Sequence, residues 1–194
     1  MRARWTVVGA LAVFWAGTVV AGALAPGYSA RGDFVSSLAG RGSEVAPLGI
    51  AALLALAGAH LAAAAAVRGR AAVALGLAGL CGIVVAAFRT ACPLGAAGCG
   101  SGANETVPDL ADAVHVYGVV GYEIALVAAM LAVAGRLART RPAAAALAVA
   151  AAVASVVLAL NIGGPDLGAW QRAWLAVNTG WLAVATLRLG SHTG

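Results

Sequence analysis

A chain of 194 residues in which 62% are hydrophobic and 10% charged has too little polar surface to face water, since an ordinary soluble domain carries roughly 25% charged residues. Its length fits one domain, and the apolar runs fill so much of residues 1–194 that no separate soluble module fits beside them. The formal charge of +5 does not point to a nucleic-acid partner, because the basic residues are scattered in twos and threes between apolar segments instead of forming one stripe.

A membrane helix needs about 20 mostly apolar residues to cross roughly 30 Å of hydrocarbon. Six stretches qualify: Trp5 to Ala25, Pro47 to Val67, Ala71 to Phe88, Ala113 to Gly135, Pro142 to Leu160, and Trp170 to about Leu189. The first, with Arg2 and Arg4 before it and Ala23-Leu24-Ala25 at its end, imitates a secretory signal. It is read as retained, because the apolar run exceeds the roughly 7–15 residues of a signal core and Pro26 stands where the new amino terminus would be. The fifth stretch is nearly pure Ala, Val and Leu, a lipid-facing or packing helix. The expected fold is an all-α, polytopic membrane bundle of six transmembrane helices.

Cytoplasmic loops retain Arg and Lys during insertion. Arg2, Arg4, Arg68, Arg70, Arg136, Arg139, Arg141 and Arg188 all fall on one side of a six-span arrangement, which places both termini in the cytoplasm. Six of the seven acids, Glu123 excepted, fall in or beside the other three connections. Arginine is the sole basic residue type apart from histidine, and Ala and Gly are abundant, as a GC-rich bacterial genome encodes. A bacterial cytoplasmic membrane is the expected location.

Two outer connections, Pro26 to Ala46 and Arg89 to Asp112, exceed the usual length of about 4–6 residues, which favours function or packing over mere linkage. The first carries Asp33 and Ser36 close together. A helix cap or local turn explains them, since short polar side chains bond nearby backbone; the functional alternative is Ser36 as a nucleophile activated by His115. In the second connection, Cys92 and Cys99 flank a small glycine-containing loop, and an oxidising compartment favours a disulfide there. No metal site is expected, because no further Cys or His lies nearby.

His115 shares a broad helical face with Asp112 and Glu123, so a polar stripe descends from the outer loop into the membrane. An ionisable group inside a span costs at least about 2.5 kcal/mol unless paired or hydrated. Glu123 is therefore expected to face the bundle interior, sharing a pocket with His115 and an arginine or making a structural hydrogen bond to a neighbouring helix. His60 lies deeper and reads as a packed residue. Arg89 and Gln171-Arg172 stand at the outer ends of the third and sixth spans. They anchor to headgroups or form a pocket for a phosphate or carboxylate, with Asn178 and Trp181 continuing the Gln171 face into the same cavity.

Three blocks, YSARGDFVSSLAGRGS, FRTACPLG with ADAVHVYGVVGYE, and GPDLGAWQRAWLAVNTGWLAVATLRL, resemble the six-span membrane proteins of the Domain of Unknown Function 998 family. By that resemblance Asp33, Ser36, Arg89, His115, Gln171, Arg172 and Trp181 match recurrent polar and aromatic positions. The chain departs from the pattern after the third span, where Cys92-Pro93 and a second cysteine stand in place of an acidic, proline-rich turn.

The stripe and the two arginines imply a polar cavity open toward the extracytoplasmic leaflet that binds a lipid or small amphiphile, with no cofactor. Two alternatives remain: a lipid-modifying enzyme with His115 as general base oriented by Asp33 or Glu123, and an accessory packing partner of another membrane protein. The topology has a direct test. A cysteine placed near Arg139 is expected to be shielded from an impermeant thiol reagent in intact cells and one near Glu105 to be labelled; the reverse pattern sinks the arginine argument.

Overall fold

The computed structural model describes residues 2–90 and 110–189, and all regular structure among them is helical. Six long helices follow one another: α1 (Arg2–Leu24), α2 (Ala46–Ala66), α3 (Arg70–Ala87), α4 (Leu110–Leu137), α5 (Pro142–Leu160) and α6 (Leu167–Leu189). Short 3-10 turns at Val35–Ala39 and Gly164–Asp166 interrupt the connections. Cys92 and Cys99 lie outside the described residues.

Local chemistry sets the breaks. Pro47 and Pro142 stand in the first turns of α2 and α5, where the missing N–H would have had no helical partner. Between α2 and α3 the chain turns through Val67 in extended conformation and Gly69 at φ +73°, a left-handed geometry that glycine adopts without steric cost. Helix α4 overruns its apolar stretch at both ends, taking Asp112 into its first turn and Arg136 into its last. Each charge thereby sits at the end of the helix dipole that favours it.

Consecutive helices pack side by side from α1 to α6, and α6 closes the circuit against α1. The interior mixes a few large side chains, Phe14, Leu56, Leu126, Met130 and Leu182, with a run of buried alanines that includes Ala59, Ala63, Ala78, Ala125, Ala129 and Ala152. Helices in lipid associate through such close small-residue packing, because no hydrophobic gain separates a helix from a lipid tail. The outward faces are apolar: Val73 is 66% exposed, Ile124 65% and Leu147 64%. A continuous apolar exterior of this kind requires a lipid surrounding, and α1 to α5 are each long and apolar enough to cross a membrane. The chain is thus a polytopic all-α membrane protein.

Helix α6 forms as expected but is less apolar than the other five and does not qualify as a span by composition. Besides Arg172 and Arg188, the difference lies in Gln171, Asn178, Thr179 and Thr186, which are all buried inside the protein. Hydropathy averages charge these groups against the helix although they never face lipid.

The connection from α1 to α2, called loop 1 below, does not run free over the surface. Its 3-10 turn, Val35–Ala39, is fully buried at one end of the bundle. Two glycines admit it. A Cβ at Gly49 of α2 would lie 2.5 Å from the Leu38 carbonyl carbon and 2.6 Å from the Ala39 nitrogen. One at Gly168 of α6 would lie 2.8 Å from both the Ala30 oxygen and the Asp33 nitrogen. These obstacles are backbone, which cannot swing aside. Gly168→Val is therefore expected to cost about 1–3 kcal/mol, the range of overpacking, and to raise amide exchange across residues 28–36 while the α2–α5 helices stay protected. Unchanged exchange in that segment would contradict the close docking.

Candidate functional site

The predicted site residues fall into three groups at different depths and not into one pocket. The first group fastens loop 1. Arg172 Nη1 donates to the carbonyls of Ala30 at 2.6 Å, Gly168 at 2.9 Å and Asp33 at 3.0 Å, while its Nη2 donates to the Tyr28 hydroxyl. Tyr28 in turn donates to the Phe34 carbonyl at 3.2 Å. Burial raises the Tyr28 hydroxyl above its ordinary range against the opposing pull of the Arg172 guanidinium. Beside this, Gln171 Oε1 accepts the Val35 N–H at 2.6 Å. Asp33 folds back on its own turn, its carboxylate accepting the Ser29 N–H at 2.6 Å. An exposed ion pair, Arg31 Nε to Asp166 Oδ1 at 2.5 Å, ties loop 1 to the segment before α6. Its hydrogen bond holds the Asp166 carboxyl below its usual range, though exposed pairs add little stability.

Under this roof lies a chamber of about 50 Å³. Phe14 of α1, Leu53 and Leu56 of α2, Gly82 and Val85 of α3, Val119 and Tyr122 of α4, and Trp174 and Leu175 of α6 form its walls, with Val35, Ser36 and Gln171 from the roof. The lining is mostly apolar, and its polar groups, Ser36, Gln171, Tyr122 and Trp174, are all uncharged side chains. Arg172, one residue from Gln171, turns away to hold loop 1.

The second group sits where α3 ends and α4 begins. His115 is buried, with Nδ1 2.8 Å from the Phe88 carbonyl oxygen and 3.1 Å from that of Val85. It thereby satisfies carbonyls that the end of α3 leaves without helical partners. Asp112 approaches Arg41 at 3.8 Å, and the Arg41 N–H donates to the Thr90 carbonyl at 2.9 Å. Arg89 lies beside Thr90 and is half-buried.

The third group is the polar centre of the bundle. Glu123, eight residues and so about 12 Å along the helix from His115, accepts from Ser155 of α5 at 2.8 and 3.0 Å and from Trp174 Nε1 of α6 at 3.0 Å. One carboxylate thus joins three helices. The neighbouring Tyr122 points the other way, its hydroxyl 3.2 Å from His60 Nε2, while His60 Nδ1 lies 2.8 Å from the Leu56 carbonyl oxygen. Because that carbonyl can only accept, Nδ1 carries the proton and the Tyr122 hydroxyl donates to Nε2. The Tyr122 ring meets both His60 and Trp174 edge-on, at 5.1 and 5.7 Å between centroids. Asn178, wholly buried on the core face of α6, has no hydrogen-bond partner for either amide atom. Trp181 packs farther along α6, where it borders a separate cavity with Leu137, Arg141 and Arg188.

Sequence reasoning passed over Tyr28, Tyr122 and Ser155 as site members. Tyr122 and Glu123 are adjacent in the chain but hydrogen-bond to different helices, so the helical stripe through Glu123 left its neighbour out. Ser155, the sole hydroxyl in an otherwise aliphatic α5, was the available signal. Among the described residues no group of three or more His, Cys, Asp or Glu is placed to hold a metal ion.

An apolar exterior around a core that buries its polar side chains defines the class, a multi-pass α-helical membrane protein. The chain belongs to the family described as Protein of unknown function (DUF998), whose model matches residues 8–188. No curated protein and no solved structure matches it.

The Glu123 junction makes a quantitative prediction. Interhelical hydrogen bonds in membranes average about 0.6 kcal/mol and reach about 1.7. Ser155→Ala is expected to lose an amount in that range in reversible unfolding in mixed micelles, and the loss should vanish in a Glu123→Leu background. Equal losses in both backgrounds would mean that the two side chains are not coupled.

Proposed function

We propose that this DUF998 protein crosses a bacterial cytoplasmic membrane six times with both termini inside, and that the chamber beneath loop 1 receives part of a lipid or small amphiphile from the extracytoplasmic leaflet. The observation that carries the reading is the chamber itself, an apolar space lined by five helices and roofed by a buried loop turn. Its size sets the class of occupant. An apolar cavity of about 150 Å³ takes one benzene, so about 50 Å³ takes only a few carbon atoms, the end of a chain and not a whole lipid. The lining adds a second constraint: its hydrogen-bonding groups are neutral, which disfavours burying an ionic headgroup there. The arginine expected to pair an anionic headgroup, Arg172, is instead engaged by loop 1.

A second reading, a lipid-acting enzyme, is favoured by one detail of His115. With Nδ1 against two carbonyls the proton resides there, and Nε2 is left as the basic nitrogen, the form a general base requires. His115→Ala would then abolish conversion of a labelled membrane lipid while sparing its retention.

The test of the binding reading is extraction and mass spectrometry of amphiphiles retained by protein purified in native membrane patches. Val119→Phe, which puts a ring into the chamber, is expected to deplete a species held by the wild type while leaving the protein monodisperse. The same amphiphiles in the same amounts in both proteins would mean that the chamber is only a packing void.

A further inference from the structure

At the end of the bundle opposite loop 1, the turn between α2 and α3 and the last turn of α4 enclose a groove of about 550 Å³. Arg68 and Arg70 line it from one side and Arg136 from the other, with Ala71, Leu131 and Ala132 as its apolar wall. We infer that this groove binds the phosphate headgroup of an anionic phospholipid, a site independent of the chamber under loop 1.

Three observations converge on that ligand. First, none of the three arginines makes an ion pair among the described residues. The described acids lie elsewhere, Asp33 and Glu44 in loop 1, Asp112 and Asp166 at the starts of α4 and α6, and Glu123 within α4. Three like charges around one groove repel unless an anion joins them. Guanidinium is the group that meets phosphate with paired hydrogen bonds.

Second, the attraction comes from full charges. The positive end of the α3 dipole and the negative end of the α4 dipole both approach the groove and oppose one another. Third, the groove opens onto lipid-facing surface. Val73, one turn into α3 from Arg70, is 66% exposed, and Leu131, just over one turn before Arg136, is 50% exposed. Charges that border an exposed apolar strip stand where headgroups stand relative to their chains, which commits the ligand to a membrane phospholipid over a free anion. Orienting the protein in the membrane does not require this convergence. Arg139 contributes to the same basic end without lining the groove.

The experiment is native mass spectrometry of the full chain released from detergent containing equal amounts of phosphatidylglycerol and phosphatidylcholine. The wild type is expected to retain phosphatidylglycerol preferentially, each groove arginine contributing about fivefold. The triple variant R68Q/R70Q/R136Q should lose the preference, and R139Q should keep it. Absence of a preference in the wild type, its persistence in the triple variant, or an equal loss in R139Q would each overturn the site, the last because it would reduce the effect to general surface charge. If the triple variant does not purify as a monodisperse protein, R136Q alone decides: a loss of about fivefold supports the site and wild-type retention refutes it. Displacement of phosphatidylglycerol by millimolar inorganic phosphate would assign the groove to a free anion and overturn the lipid assignment.

Discussion

A segment of irregular backbone buried at the end of a membrane bundle must find every hydrogen-bond partner within the protein, because lipid offers none. Loop 1 meets this constraint by borrowing side chains from α6. Arg172 takes the carbonyls of Ala30 and Asp33, Gln171 takes the Val35 N–H, and Tyr28 passes a donor from the Arg172 contact to the Phe34 carbonyl. The backbone adds the Ala169 N–H to the Arg31 carbonyl at 3.0 Å. The rest of the architecture follows from that docking: Gly49 and Gly168 must lack side chains, α6 must carry polar residues, and the turn at Val35–Ala39 becomes a roof.

The same constraint explains why the buried polarity of the helices is distributed in pairs and triplets. His60 with Tyr122, Glu123 with Ser155 and Trp174, and Trp15 with Thr179 at 3.2 Å each join two or three helices. Each bond is modest in energy, yet an unmade one inside hydrocarbon leaves a desolvated group behind. Their value is therefore in register and orientation. The Glu123 junction fixes α5 and α6 relative to α4, and Trp174, which it holds, forms one wall of the chamber.

Charge is segregated along the bundle. Loop 1 and the starts of α4 and α6 carry acids together with arginines that they engage, whereas among the described residues the opposite end carries arginines and no acid. One end is thus internally compensated and held closed by its own charges. At the other end Arg68, Arg70 and Arg136 make no ion pair among the described residues.

Hydropathy and the placement of prolines and glycines determined the helices, since a run of about 20 apolar residues has only one way to satisfy its backbone in lipid. The stretches from Pro47, Ala71 and Pro142 begin within a residue of α2, α3 and α5. The sequence also marked the polar residues that lie inside, because an intramembrane Glu123 or His115 must be buried or paired. It did not determine their partners. His115 and Glu123 share a stripe on one helix, but α3 ends beside the first and α5 and α6 flank the second, so one serves carbonyls and the other serves Ser155 and Trp174. Arg172 read as a ligand-binding cation because periodicity cannot show a loop, some 140 residues earlier in the chain, folding back to take its hydrogen bonds. Pairing depends on which helices become neighbours and at what rotation. That is set by the summed close packing of small residues such as Ala59, Ala78 and Ala129, which are individually too alike to encode it in any local pattern.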